Sequence, residues 1–72
     1  MGKELLKNNI KVFRAKYNLT QEELAVKVGV TRKTINTIEN GVFIPSTLLA
    51  LKIASVFNDT VENVFYIENC EN

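Results

Sequence analysis

The sequence contains no histidine and no tryptophan, and only one cysteine and one proline among its 72 residues. Histidine is the commonest general base and a frequent metal ligand, so its absence argues against the usual acid–base and metal-dependent enzyme sites. The pattern also offers no nucleophile beside a base and no cluster of metal-ligating side chains. We therefore expect no catalytic site, no metal, no cofactor and no small-molecule substrate.

The single cysteine, Cys70, excludes an intrachain disulfide, and a reducing compartment is the simpler interpretation. Two interpretations of Cys70 itself remain open, an inert tail residue or a redox-sensitive thiol. No run approaches the roughly 18 apolar residues that a membrane span requires, and the stretch MGKELLKNN lacks the apolar segment of a signal peptide. These features predict a cytoplasmic protein that does not contact the membrane.

The apolar fraction of 46% and the charged fraction of 24% are typical of a folded chain. We expect one domain over residues 1–72, with a core of about 8–67, because no repeat, low-complexity tract or linker divides the chain. A domain this small buries only about 60% of its unfolded surface. Its core is therefore marginal, and a second subunit is a natural source of further burial.

The charges are unevenly distributed along the chain. Eight of the nine basic residues fall within positions 1–40 against four acidic ones, which gives +4, whereas positions 41–72 hold one lysine and four acids, which gives −3. A net charge of +1 thus conceals a polarised molecule. This asymmetry indicates that the first half meets a polyanion, although the pI of about 7.8 is low for a strongly basic nucleic-acid binder.

A first helix is predicted from either Asn8 or Asn9, as its N-cap, to about Tyr17. Asn18 can end this helix because asparagine tolerates the left-handed backbone conformation. Its apolar positions follow the spacing of a single buried stripe: Ile10, Phe13 and Tyr17.

The segment Thr20-Gln21-Glu22-Glu23 predicts a capping box and hence the start of a second helix. Gly29 ends that helix by adopting a left-handed conformation, and Thr31 caps a third helix that runs from Arg32 to about Asn40. Two helices joined by so short a break must cross at a steep angle, with small and apolar residues between them. The residues that meet this demand are Ala25, Gly29, Ile35 and Ile38, together with Leu24, Val28 and Val30.

The remaining elements are shorter or more apolar. Ser46 can cap a fourth helix over residues 47–57, after a loop that contains Pro45. Thr60 can cap a short fifth helix over residues 61–64, and Phe65-Tyr66-Ile67 predicts a brief β-strand.

The paired helices have the helix-turn-helix layout, in which the second helix enters the major groove of DNA. At this point the chain resembles the Cro/repressor-type helix-turn-helix regulators, also called the XRE family. The resemblance covers about residues 10–65 and rests on NLTQEELAVKVGVTRKTINTIENG, the later IPS and LKIA, and DTVENVF. It implies an all-α, compact five-helix bundle of the lambda-repressor-like type, with the helix-turn-helix at helices two and three and a short C-terminal strand.

The resemblance also assigns roles on the recognition helix. Gln21 matches the glutamine that binds a phosphate and buttresses helix three, and its alternative is a solvated first-turn residue. Arg32 and Lys33 match positions that read bases, where they suit guanine, or alternatively contact phosphate alone. Asn36 and Thr37 match further groove-facing positions, suited to adenine and to the thymine methyl group, or are simply solvated.

The remaining carried-over roles concern the edges of the recognition helix. Thr31 belongs to the implied DNA contacts, Thr34 suits a phosphate or a thymine methyl group, and Asn40 matches a residue that binds backbone phosphate. Arg14 and Glu39 match a salt bridge that ties helix one to the helix-turn-helix. Val42 departs from the family, which often has lysine or arginine there, so one phosphate contact is missing or is replaced by backbone amides.

Small stand-alone members of the family are dimers with a short terminal β-element, and this chain has features that fit such an assembly. Leu48 adds an apolar side chain at a position that is often polar, although ordinary surface scatter is an alternative. A strand over Phe65, Tyr66 and Ile67 leaves an exposed edge unless a partner covers it. We therefore expect a homodimer whose interface includes these four residues.

Two functions compete at this stage. The first is a DNA-binding transcriptional repressor or regulator that binds double-stranded DNA as a homodimer. The second keeps the fold but has another purpose, as an antitoxin or accessory subunit that binds a protein partner through the apolar C-terminal half. An enzyme is the least compatible with the residues present.

Overall fold

The computed structural model describes residues 3–70, apart from the side chains of Lys3 and Cys70, so both interpretations of the Cys70 thiol lie outside the described residues. Its helices and strands follow one another in the order β1 (Lys3–Asn8), α1 (Ile10–Tyr17), α2 (Gln21–Val28), α3 (Arg32–Glu39), α4 (Thr47–Val56), α5 (Val61–Val64) and β2 (Phe65–Cys70). The chain is thus mostly helical, with one small sheet. Within the described part of the chain, every helix is too short or too polar to cross a membrane.

Local signals in the sequence account for the ends of α1 and α2. Asn18 ends α1 in the left-handed conformation, with φ of 59°. The hydroxyl of Thr20 accepts a hydrogen bond from the Glu23 amide, and the Glu23 carboxylate accepts one from the Thr20 amide, which completes the capping box. Gly29 then ends α2 with φ of 79°, a conformation that costs a side chain-bearing residue about 1 kcal/mol or more.

The later helices begin at hydroxyl caps of the same kind. The side chains of Thr31, Ser46 and Thr60 each accept a hydrogen bond from the backbone amide three residues ahead. All three lie at the positions that the sequence predicts for them. Each cap satisfies an amide that would otherwise lack a partner at the first turn of its helix.

The sheet corrects the all-α expectation. β1 and β2 pair in an antiparallel ribbon whose register sets Lys3 opposite Cys70 and Asn8 opposite Phe65. The strand predicted at Phe65 exists, but it runs to Cys70, and its partner is the N-terminal segment KELLKN, where the sequence pattern predicts no strand. Lysine, glutamate and leucine are better helix formers than strand formers, so pairing with β2, not local preference, makes this segment a strand.

Asn8 joins this ribbon, formed by β1 and β2, to the helices. Its Nδ2 donates to the backbone carbonyl of Ile38 (3.0 Å), and its Oδ1 accepts from the backbone N–H of Ile10 (3.1 Å). Of the two candidate caps of α1, Asn8 makes the side-chain bond, while Asn9 makes no capping bond. One side chain therefore connects the ribbon, the first turn of α1 and the last turn of α3.

The core lies between the five helices and the inner end of the ribbon. Its largest fully buried side chain is Phe57, whose ring stacks on Phe13 with centroids 5.2 Å apart. The other buried members are Ile10, Leu24, Ala25, Val28, Ile35, Ile38, Ile53, Ala54, Val64 and Phe65. Since α2 and α3 both supply buried residues, the core fixes the angle between them.

Candidate nucleic-acid interface

The turn between α2 and α3 sets the geometry of the candidate site. Ala25, at the start of the last turn of α2, is 1% exposed, and its carbonyl oxygen accepts backbone hydrogen bonds from Gly29 (2.9 Å) and Val30 (3.0 Å). Ile35 and Ile38 of α3 are equally buried. The small residue, the left-handed glycine and the apolar pair thus occupy the places that a helix-turn-helix requires.

Burial of Ile35 and Ile38 leaves the opposite face of α3 exposed. At about 100° per residue, positions 33, 36, 37 and 40 lie around the centre of this outer face and Arg32 lies on its flank beside α2. The side chains of Arg32, Lys33, Asn36 and Asn40 are exposed, and that of Thr37 is half-buried. Five of the residues expected to contact DNA are therefore gathered on one surface.

The threonine hydroxyls at this face are engaged in local structure. Thr31 Oγ1 accepts from the Thr34 amide at 3.2 Å and lies 3.1 Å from Thr34 Oγ1. Thr37 Oγ1 donates to the Thr34 carbonyl oxygen at 2.9 Å. The Thr37 proton is thus already used, which leaves its methyl group and its acceptor lone pairs to face a ligand.

A hydrogen-bonded chain of side chains runs beneath and along the outer face. Arg14 of α1 forms two bonds with Glu39, from Nε to Oε2 at 2.7 Å and from Nη2 to Oε1 at 3.2 Å. Gln21 Nε2 donates to Glu39 Oε1 (3.1 Å) and to Asn36 Oδ1 (3.2 Å), and Arg32 Nη1 donates to Gln21 Oε1 at 3.5 Å. We name these five side chains the α1–α3 relay.

The relay bears on the two roles expected of Gln21. Both hydrogens of its side-chain amide are already donated, so a bond from this amide to a phosphate requires one of the two internal bonds to break. The bonds to Asn36 and Glu39 make it a support of α3. Its link to Glu39 was not predicted, because residues 18 positions apart leave no local pattern in the sequence.

The loop after α3 presents apolar side chains instead of the expected basic one. Val42, Phe43 and Ile44 are all exposed. The backbone amides of Val42 and Phe43 both donate to the Thr37 carbonyl oxygen, at 2.9 and 3.2 Å. These two amides complete the end of α3 and are not available to replace a missing phosphate contact.

Three of the four residues expected at a dimer interface are exposed: Leu48 (64%), Tyr66 (44%) and Ile67 (64%). Phe65 is different, since only 6% of it is exposed and it belongs to the protomer's own core. Phe65 and Ile67 share a face of the ribbon, but only Phe65 lies close enough to the helices to be covered. Phe65 therefore packs mainly within its own protomer, and its place at an interface stays a prediction.

An apolar groove lies between the ribbon and α4, on the ribbon face that carries Phe65 and Ile67. Its volume is about 330 Å³. The residues that line it are Leu6, Pro45, Thr47, Ala50, Leu51, Val61 and Phe65. We call it the ribbon groove.

Known proteins are similar to this chain in sequence and in fold. A protein-family model described as helix-turn-helix matches residues 10–61. An Archaeoglobus fulgidus protein, named an uncharacterized HTH-type transcriptional regulator, is 52% identical over 66 residues, which span 92% of this chain and 93% of the relative. The Bacillus subtilis protein YgzD, which has the same description, is 48% identical over 63 residues and covers 88% of this chain and 96% of its own length.

A solved structure agrees with this comparison. The solution structure of the SOS-response transcriptional repressor LexA from Eubacterium rectale superposes with a TM-score of 0.71 at 33% identity. The match covers 76% of this chain and 58% of that one, so the two chains share a fold over part of their lengths.

Proposed function

The chain belongs to the helix-turn-helix family of XRE-type DNA-binding transcriptional regulators, which is not a family of enzymes, and from this premise we propose that it is a repressor that binds an inverted-repeat operator as a homodimer. The observation that carries the proposal is the outer face of α3. There Arg32 and Lys33 stand at the N-terminal end of a helix whose opposite face is committed to the core.

We assign the recognition of the DNA sequence to the outer face of α3, because its side chains suit the base edges of the major groove. Arginine and lysine address the O6 and N7 acceptors of guanine, and each good bidentate contact is worth about 1 to 3 kcal/mol of discrimination. Asn40, exposed at the end of the helix, and the hydroxyls of Thr31 and Thr34 are assigned to the phosphate backbone. Such contacts fix the register of the protein on the duplex without reading sequence.

A homodimer is supported by the apolar surface on the ribbon and α4. Leu48 and Ile67 are each about two-thirds exposed, and the ribbon groove beside them is open. β1 and β2 pair with each other along one edge of each strand. Within the described residues, the other edge of each strand is unpaired. In a two-fold dimer through this surface, α4 and β2, which belong to the half of the chain with charge −3, contact a second subunit.

Repression follows from where such a dimer binds. Two recognition helices about 34 Å apart contact major grooves one helical turn apart, with half-site centres about 10 bp apart. A protein in this position over a promoter blocks polymerase. The solved relative from Eubacterium rectale is itself called a repressor, which favours the same direction of regulation here.

Three measurements test the proposal. Selection from a random duplex library should give an inverted repeat, and hydroxyl-radical footprinting of the DNA upstream of the protein's own gene should show two protected patches one turn apart. Sedimentation equilibrium at micromolar concentration should give twice the chain mass. In vitro transcription from that promoter should fall when the protein is added; a rise would make it an activator.

A second candidate, an antitoxin or accessory subunit that binds a protein partner, is favoured by the same ribbon groove. It predicts that the groove binds a different chain more tightly than a second copy. A monomer at micromolar concentration that forms a stoichiometric complex with the product of a neighbouring gene would support it over the homodimer.

A further inference from the structure

The α1–α3 relay has a direction that its chemistry imposes. Glu39 is at its origin, with a side chain 2% exposed and two bonds from Arg14 that hold it between α1 and α3. A carboxylate has only acceptors. Any amide that contacts it must therefore turn its nitrogen, and not its oxygen, toward it.

Gln21 is the amide in this position. Its Nε2 faces Glu39 Oε1 at 3.1 Å, and the other hydrogen of the same nitrogen points to Asn36 Oδ1 at 3.2 Å. Its oxygen faces Arg32, a side chain with donors only. Contacts at both ends thus oppose a rotation of the Gln21 amide by 180°.

The fixed orientation of Gln21 is passed on to Asn36. Because Gln21 presents a donor, Asn36 must accept the hydrogen bond with Oδ1. Its Nδ2 is then the end of the amide that points outward. Within residues 3–70, Asn36 Nδ2 has no hydrogen-bond partner, and the side chain is exposed on the outer face of α3. Asn36 therefore offers the groove two N–H donors at its free end.

We propose that Gln21 is a specificity-determining positioning residue, which turns the amide nitrogen of Asn36 toward DNA so that Asn36 selects a base edge rich in acceptors. This inference rests on the proposed function, since it assumes that the outer face of α3 lies in the major groove. Guanine offers O6 and N7 and thymine offers O4, whereas cytosine offers only its N4 donor. Asn36 thus favours guanine or thymine and disfavours cytosine, which differs from the adenine that its residue type alone suggests.

The test compares selected sites among variants in a random duplex library. Asn36→Ala first identifies the base pair that Asn36 reads, as the one position where preference disappears. At that pair the wild-type protein should bind guanine or thymine about fivefold or more tightly than cytosine. Gln21→Leu, which removes the orienting amide, should reduce this ratio to about one, and it should leave unchanged the positions that neither Asn36 nor Arg32 reads.

Gln21→Glu provides a second arm. A carboxylate at position 21 is repelled by the Glu39 carboxylate and offers no donor to Asn36 Oδ1, so the preference at that one pair should disappear as it does in Gln21→Leu. Asn40→Asp is the matched control, because it adds a negative charge on the same face outside the relay. It should weaken binding without removing the preference at that pair.

The outcomes separate the inference from the function. Uniform loss of affinity in both Gln21 variants, with the preference at the Asn36 pair intact, would overturn the inference and leave the proposed function standing. If Asn36→Ala removes the base preference at no position, the inference is likewise overturned and the proposed function stands. A wild-type protein that selects no sequence at all would overturn both. If Gln21→Glu does not fold, as judged by circular dichroism, Gln21→Leu alone decides.

Discussion

Arg14 and Glu39 are bound to each other by two hydrogen bonds that link α1 to α3, with side chains 16% and 2% exposed. Arg14 also donates from Nη1 to the Leu19 carbonyl oxygen at 3.0 Å, and Glu39 also accepts from Gln21. The carboxylate is thus removed from water but fully provided with donors. An ion pair of this kind adds little over an apolar pair, yet it is costly to break from one side.

We therefore expect Arg14→Met and Glu39→Gln each to lower the free energy of unfolding, with Arg14→Met costing about 3 to 5 kcal/mol because it leaves the Glu39 charge without its cation. The double variant should lose less than the two single losses combined. Urea melts of the four proteins give the coupling energy. Lys27→Met, on an exposed side chain of α2, is the control and should change little. A coupling energy near zero would contradict the prediction.

Arg32→Ala should weaken binding to the selected operator by about 1 to 3 kcal/mol per half-site and relax base preference at one position in each. The physical reason is the loss of guanidinium donors that match guanine O6 and N7. Affinities measured by fluorescence anisotropy on the operator and on single-base variants check it. Equal losses on every sequence, with a reduced salt slope, would show that Arg32 contacts phosphate alone.

Leu48→Asp and Ile67→Asp should each shift the protein from dimer to monomer at micromolar concentration, because a charge placed in an apolar interface loses its hydration. Affinity for the full inverted repeat should fall by about a hundredfold or more, while affinity for an isolated half-site stays the same. Val26→Asp is the matched control, since Val26 is 70% exposed on α2, outside the proposed interface. Sedimentation equilibrium that gives the same mass for all three variants would rule out this surface.

Asp59 gives the expected pH dependence. The pKa of its carboxyl group is lowered from 3.8, first by the hydrogen bond from the Asn63 side chain and then by that from the Thr60 amide, with a smaller contribution from the Lys16 charge. A carboxyl group whose pKa is lowered in the folded state stabilises the protein at pH values above its unfolded pKa. This stabilisation is lost as the pH falls through the folded pKa.

The urea midpoint of Asp59→Asn should therefore lie below that of the wild type at pH 7, and the gap should stay constant down to about pH 5. Below pH 3.8 the gap should close. Asn63→Ala, which removes the principal donor to the carboxylate, should show the same convergence. A gap that persists unchanged to pH 2 would contradict the role of the charge.

The helix ends could be predicted because each depends on a few adjacent residues. The capping box at Thr20, the left-handed Asn18 and Gly29, and the hydroxyl cap at Ser46 are all chemical signals that act within one turn. The outer face of α3 follows in the same way, from the spacing of two buried isoleucines. These signals need no knowledge of the rest of the fold.

The features that the sequence does not predict depend on contacts between residues that are distant in the sequence. The strand β1 exists because β2 pairs with it, and its own residues favour a helix. Phe65 differs from Ile67 only by its distance from the helices, which strand alternation does not express. The resemblance implies that Gln21 supports helix three, but its partners Asn36 and Glu39 depend on side-chain orientations that no linear pattern encodes.

The register of the ribbon also bears on the order in which the parts of the fold form. Lys3 lies opposite Cys70, so this pairing joins the two ends of the described chain. Closing so long a loop costs conformational entropy before any contact compensates it, whereas α2 and α3 meet through neighbours close in sequence. During synthesis the residues of α2 and α3 leave the ribosome well before β2. We therefore expect the ribbon to be the last element to form, so that the surface assigned to a second copy is completed only after the surface assigned to DNA.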